Sequence, residues 1–204
     1  MNGSAKFIFL GLAIMMGTIC GCASTTKVTR TDVTKTIDLS GEWNDTDARM
    51  VAEEMINDCL KHPWLGEFNK TSGRDPMVIV GTVVNRSHEH INAQVFTNEL
   101  ERNFTNAQKI KFVASKDERQ EIRAEREDQQ AGNTNPETIS KPGSEAGADY
   151  MLKGSINSIK DEVKAKYVIF YQANLELIDL KTNQKKWIGQ KEIKKIVERK
   201  SFSL

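Results

Sequence analysis

Four residues near the start of the chain, Ile19-Cys20-Gly21-Cys22, have the types and order that acyl transfer to a cysteine requires. An aliphatic residue stands three places before Cys22, a small residue directly before it, and Cys22 supplies the sulfur nucleophile that takes the lipid. Phe7–Ile19 ahead of it is apolar apart from glycine and one threonine, and Met1–Lys6 carries a single lysine. That is the length of a secretory apolar segment and falls short of the roughly 20 residues a membrane-spanning helix needs. The stretch reads as a lipobox, with residues 1–21 a signal peptide removed on maturation. An ordinary cleaved signal or a buried helix are the alternatives. Ala23 and Ser24 follow Cys22, and the absence of an aspartate there favours the outer membrane. Two or more acyl chains on Cys22 anchor a protein stably, whereas one does so only marginally.

Other residues with chemical potential are weaker candidates. Cys59 falls late on the apolar face of a helix beside Asp58, surroundings that raise a thiol pKa and quiet its chemistry. With Cys20 removed and Cys22 acylated, Cys59 has no cysteine to pair with. His88-Glu89-His90 places two imidazoles on alternate residues, which share a face on an extended strand, but no further ligand stands at a recognisable spacing and no metal is expected. Glu53 and Glu54 are adjacent on a helix and point about 100° apart, so they cannot work as an acid–base couple. The three histidines, the one remaining thiol and the scattered carboxylates form no triad, zinc motif or nucleophile elbow. The reading is of a protein without catalytic activity or cofactors.

The charge balance sets further bounds. The 204 residues carry 29 Lys and Arg against 28 Asp and Glu, a formal net charge of +1, and nothing in that balance points to nucleic acid. The signs are unevenly placed. Lys181–Lys200 holds eight basic residues against Glu192 and Glu198. Lysines on an edge strand block strand-on-strand association; contact with an anionic surface is the sharper alternative. In Lys116–Asp128 ten of thirteen residues are charged, with signs alternating at helical spacing. This is either an exposed helix laced with ion pairs or a partner-binding face.

The elements that position these groups follow from periodicity. Residues 22–39 are the lipidated terminus and a Thr-rich tether, whose 17 residues from Ala23 reach at most roughly 55–60 Å. The domain spans 40–204. Asn44 or Asp45 caps a helix running to about Lys61, with Ala48, Val51, Ala52, Met55, Ile56 and Cys59 as its buried stripe. His62-Pro63 ends it, and Trp64, Leu65 and Phe68 cover a core edge. Met77–Asn85 reads as a strand buried on both faces. Asn92 caps a second helix carrying Phe96, Leu100, Phe104 and Ala107, and Ile110–Ala114 is a second strand parallel to the first. After the charged helix and the polar loop 129–138, Pro142–Ala146 forms a short helix closed by a left-handed Gly147. Strands at 148–159, 166–180 and 185–197 then form an antiparallel meander. The fold class is α/β: a single domain with a mixed sheet, β-α-β followed by the meander, flanked by helices.

Three runs resemble the LpoB-type penicillin-binding-protein activator lipoproteins: LSGEWNDTDARMVAEEMINDCL at 39–60, GADYMLKGSINSI at 147–159 and LELIDLKTNQKKWIG at 175–189. The resemblance covers roughly residues 39–195. It implies a fold like the TolB N-terminal domain. It also implies an outer-membrane lipoprotein that docks on a class A penicillin-binding protein and stimulates peptidoglycan synthesis as a monomer. The family's tether is long and Pro-rich, whereas the tether here is short and has no proline. By position, the docking patch is the charged helix with its following loop: Arg119, Arg123, Arg126, Thr138 and Lys141. The alternatives are a subunit of an envelope or secretion lipoprotein complex, and an enzyme acting on the cell wall.

Overall fold

A long β-hairpin carries the architecture. Tyr150–Val163 (β3) and Lys166–Asp179 (β4) pair residue for residue along fourteen positions, joined through Lys164 and Ala165 with Lys164 left-handed. The computed structural model describes residues 26–140 and 143–198. Residues 34–204 make one compact unit; of the other, 1–33, only 26–33 are described, as irregular chain. The signal segment, Cys20, Cys22, Lys141, Arg199 and Lys200 lie outside the described residues.

The remaining elements in chain order are α1 (Asp45–Lys61), α2 (Pro63–Ser72), β1 (Met77–Arg86), α3 (Ala93–Asn106), β2 (Lys111–Phe112), α4 (Lys116–Asp128) and β5 (Lys185–Glu198). The sheet order is β2-β1-β3-β4-β5. β1 runs parallel to both β2 and β3, while β3-β4-β5 is antiparallel. This is the mixed α/β sheet expected from sequence.

One face of the sheet is the core. Alternate residues of β4 from Tyr167 to Leu177 are all buried, with Leu152 and Ile156 of β3 beside them. α1 and α3 cover this face with Val51, Ala52, Met55, Cys59, Phe96, Leu100 and Phe104. α1 starts in a capping box: Asn44 accepts from the Asp47 N–H at 3.1 Å, and Asp47 accepts from the Asn44 N–H at 2.9 Å. Cys59 is fully buried, and burial pushes its thiol up to about 12, with a lesser contribution from Asp58.

Several expectations require correction. His62-Pro63 ends α1 but also begins α2, because proline at the first helical position loses no hydrogen bond there. Trp64 and Leu65 are therefore helical; the Trp64 indole N–H donates to the Cys59 carbonyl at 2.9 Å, and the rings of Trp64 and Phe68 meet Tyr150 edge-on. β1 is buried on both faces only over Val78–Val80, since Thr82 and Val84 face solvent. β2 is two residues rather than five. Gln129–Asn133 continues α4 as a π-helical turn ended by a left-handed Gly132. Residues 143–148 contain no helix, and the left-handed glycine there is Gly143, not Gly147.

The reason lies in what residues 143–149 contact. Asp149 receives both Arg74 guanidinium nitrogens, at 2.8 and 2.7 Å, and the Met77 N–H at 2.8 Å. The Arg74 hydrogen bonds, against the opposing effect of burial, hold the Asp149 carboxyl below its ordinary range. The segment thus runs extended into β3, tied to the start of β1, instead of closing a local helix.

Candidate docking face

α4 is an outlying helix with no buried residue. A capping box fixes its start: the Ser115 hydroxyl accepts from the Glu118 N–H at 3.4 Å, and the Glu118 carboxylate from the Ser115 N–H at 2.7 Å. Asp117 and Glu118 sit favourably at the positive end of the helix, and Arg126 at the negative end.

The structure brings three of the sequence-predicted docking residues to one carboxylate. Arg123 binds Glu145 through two nitrogens, at 2.9 and 2.8 Å, and Arg126 reaches the same group at 3.0 Å. Arg119, one turn earlier, adds to the field at Glu145. Spacing of four and three residues puts all three guanidinium groups on one helix face. The sign alternation along α4 suggested pairing within the helix; Arg123 and Arg126 instead reach across the chain to Glu145. Arg119 Nε is buried without a hydrogen-bond partner. Thr138 lies apart from this clamp in a tight turn, where its N–H and hydroxyl both bond to the Asn135 carbonyl at 3.0 and 2.9 Å.

Glu145 is the site residue that sequence reasoning missed. It stands nineteen or more positions from its arginines in a segment expected to be helical, so no local pattern announces it. The bond to Arg123 first, then the charges of Arg126 and Arg119, hold its carboxyl below the usual 4.5. A carboxylate with a depressed pKa stabilises the folded arrangement above its unfolded pKa and loses that stabilisation as pH falls through the folded value. The protection of α4 amides, relative to their intrinsic exchange at each pH, should therefore hold at neutral pH and fall once the pH drops below about 4.5, ahead of global unfolding. Protection in α1 and β4 should be unchanged at the onset. The pair is exposed, so salt should weaken it too.

Beside α4 runs an open groove of about 540 Å³ lined by Gly81, Thr97, Glu101, Ser115 and Glu118. Burial, and then the nearby Glu118, raise the Glu101 pKa. In the His88-Glu89-His90 segment it is Glu89 that reaches the domain's interior. The Glu89 carboxylate accepts from the Trp43 N–H at 3.0 Å and from the Tyr171 hydroxyl, while His88 Nδ1 meets the Ser158 hydroxyl at 2.6 Å. Among the described residues no group of three His, Cys, Asp or Glu is placed to hold a metal ion. No described helix is long and apolar enough to cross a membrane.

The sheet buries the Cys59 thiol and Asp47, and a charged helix with its following loop stands at its flank. The family model described as peptidoglycan-synthase activator LpoB matches residues 47–193, which takes in most of the sheet, α2 to α4 and nearly all of α1. The chain belongs to the LpoB family. Among solved structures, it is similar to the LpoB C-terminal domain from Salmonella enterica, at 17% identity and a TM-score of 0.41, covering 72% of this chain and 98% of that one. The Escherichia coli LpoB C-terminal domain matches at 18% identity and a TM-score of 0.41, with the same coverage. Lipoprotein GNA1162 from Neisseria meningitidis matches at 16% identity and a TM-score of 0.39, over 62% of this chain and 88% of that one. A search of curated proteins found no match.

Proposed function

We propose that this chain is an outer-membrane lipoprotein, anchored through Cys22, that binds a class A penicillin-binding protein and stimulates peptidoglycan synthesis without chemistry of its own. The family match over 47–193 carries the reading. The Ile19–Cys22 lipobox, followed by Ala23 rather than aspartate, supports the anchor and its membrane. The mechanism is a shift of population: the domain binds the active arrangement of the synthase more tightly than the inactive one, and the ratio of those affinities sets the stimulation. A monomer suffices for this.

Docking is assigned to α4 and the loop after it, with Arg119, Arg123, Arg126, Thr138 and Lys141 as the contacts. Because Glu145 holds Arg123 and Arg126, their reversal also frees α4 from the segment before β3. Two variants separate the effects. Arg123→Glu with Arg126→Glu should weaken binding about tenfold or more, as expected for loss of arginines at an interface centre. Glu145→Gln keeps the arginines and should leave binding within about threefold, since it frees them without removing them.

The direct test adds the purified chain to a purified class A synthase and follows glycan-strand polymerisation from its lipid-linked precursor. A faster rate that saturates with added protein is expected. An unchanged rate, together with no binding by surface plasmon resonance, would sink the proposal.

A further inference from the structure

β1 has one covered edge and one open edge. β3 pairs along it from Val78 to Arg86, but on the other side β2 meets only Met77 and Val78. The Pro76 and Val78 carbonyls accept from the Lys111 and Val113 N–H groups at 2.9 and 3.0 Å. Backbone groups alternate sides along a strand, so the Val80 N–H and carbonyl turn toward this same edge. Among the described residues no strand pairs with β1 on that side beyond Val78. Between Val80 and Val83 the register with β3 shifts, and β1 gains one residue over its partner. A bulge of this kind bends the strand and interrupts its ladder where the edge is open.

The two edges of the sheet differ in what guards them. β5, at the opposite edge, carries lysines at 185, 186, 191, 194 and 195, which obstruct the approach of another strand. Residues 79–85 of β1 include no lysine. Residues 80–83 instead border the groove of about 540 Å³, whose other walls are α3 and the start of α4. Four residues of an added strand span roughly 13 Å, the same run of β1 that the groove exposes. The groove is also acidic. Glu101 of α3 and Asp117 and Glu118 of α4 line it against Lys116. Among the described residues no Lys, Arg or His forms an ion pair with any of these three carboxylates. Glu101 is partly buried and feels the charge of Glu118, so a cation entering the groove relieves a repulsion already present.

We propose that the open edge of β1 at residues 80–83 takes an extended peptide segment of a partner protein as an added strand, with a lysine or arginine of that segment set between Glu101 and Glu118. Main-chain bonds to the edge supply the affinity in this mode, and the groove walls select side chains. Val80, Val83 and Ala93 suit small or β-branched residues, and the carboxylates select the basic one. The inference goes beyond the synthase reading: it uses the first turn of α4, whereas the arginines gathered on Glu145 lie further along that helix.

The test selects a random heptapeptide library, displayed on phage, against the purified chain and synthesises the recovered peptides. Peptides with alternating β-branched residues and one lysine or arginine are expected. N-methylation of every second peptide amide, on the side that faces β1, should weaken binding about tenfold or more, because several main-chain bonds are lost together. Glu101→Lys should weaken it by a similar factor and Glu101→Gln by less, with circular dichroism showing both variants folded. Amide exchange supplies the direct reading. The Val80 amide should gain protection when peptide is added, while the Ile79 amide, turned to β3, stays unchanged. Recovery of no binding peptide would overturn the proposal. So would peptides that bind equally well when N-methylated on either set of amides, or that leave Val80 unprotected. Protection of Val80 that rises with protein concentration in the absence of peptide would assign the edge to a second copy and overturn it too.

Discussion

Lys195→Met should lower the unfolding free energy by about 3 kcal/mol, the lower end of what removing one partner of a buried ion pair costs. Lys195 Nζ lies 2.6 Å from Asp47, which is only 4% exposed, and 2.7 Å from Asp38, and it donates to the Glu42 carbonyl at 3.1 Å. Methionine keeps the aliphatic stem and removes the charge, leaving a buried carboxylate at the start of α1 with its ammonium gone. Asp38 is partly wet, so the loss stays at the lower end of the range. A second change, Asp47→Asn, should recover much of the deficit, because the amide oxygen can still accept the Asn44 N–H. Urea unfolding of the single and double variants measures both numbers. Burial lowers the Lys195 pKa, but Asp38 and Asp47 more than offset it, so the net shift is upward. A raised pKa contributes stability that is fully present below the unfolded value of about 10.5 and disappears as pH climbs through the folded value. The wild-type advantage over Lys195→Met should accordingly persist at neutral pH and shrink only in strong alkali. The same variant should loosen residues 38–42, where Lys195 holds Asp38 and the Glu42 carbonyl, more than Trp43, which Glu89 still holds.

Gly154→Ala should cost about 3 kcal/mol, the upper end for overpacking, because the obstacle is backbone. A Cβ at Gly154 would stand 2.4 Å from the Asn174 carbonyl oxygen and 2.6 Å from Leu175 Cδ2. Gly154 pairs with Leu175 on β4 and with Val83 on β1, at the irregularity where the β1–β3 register shifts. The strands on both sides leave no direction in which a methyl group could relax. Thermal unfolding should shift down by roughly 6–12 °C for a domain of this size. Gly66, which has nothing within 4 Å of its Cβ position, is the control: Gly66→Ala in α2 should be neutral or stabilising.

These effects bear on function through abundance. A domain near the usual margin of stability that loses about 3 kcal/mol spends measurably more time unfolded. Variants at Lys195 and Gly154 should thus lower the amount of protein, whereas Arg123 and Arg126 variants, under the docking proposed above, should alter binding at unchanged amount.

Some of this architecture could be read residue by residue. The Ala48–Cys59 stripe recurs at three- and four-residue steps, and burial of one helix face follows from that spacing whatever packs against it. Tyr167, Ile169 and Tyr171 alternate, and alternation on a strand sends all three to one side. The Asn44 and Asn92 caps are local too, since each satisfies an N–H two or three residues away. α2 escaped because proline is read first as a helix stop, and only the core ring contacts at Tyr150 show that a new helix begins there.

Periodicity and capping, then, determined α1, α3 and α4, the faces of β4, the quiet thiol and the charged flank, because each depends on residues within a turn or a pleat of one another. Only the tertiary structure decided that β3 inserts beside β1, that Glu145 gathers the α4 arginines, and that Lys195 clasps Asp38 and Asp47 more than 140 positions away. Those contacts join segments whose spacing along the chain carries no periodic signal. They form when chain folding brings opposite charges and unpaired strand edges together.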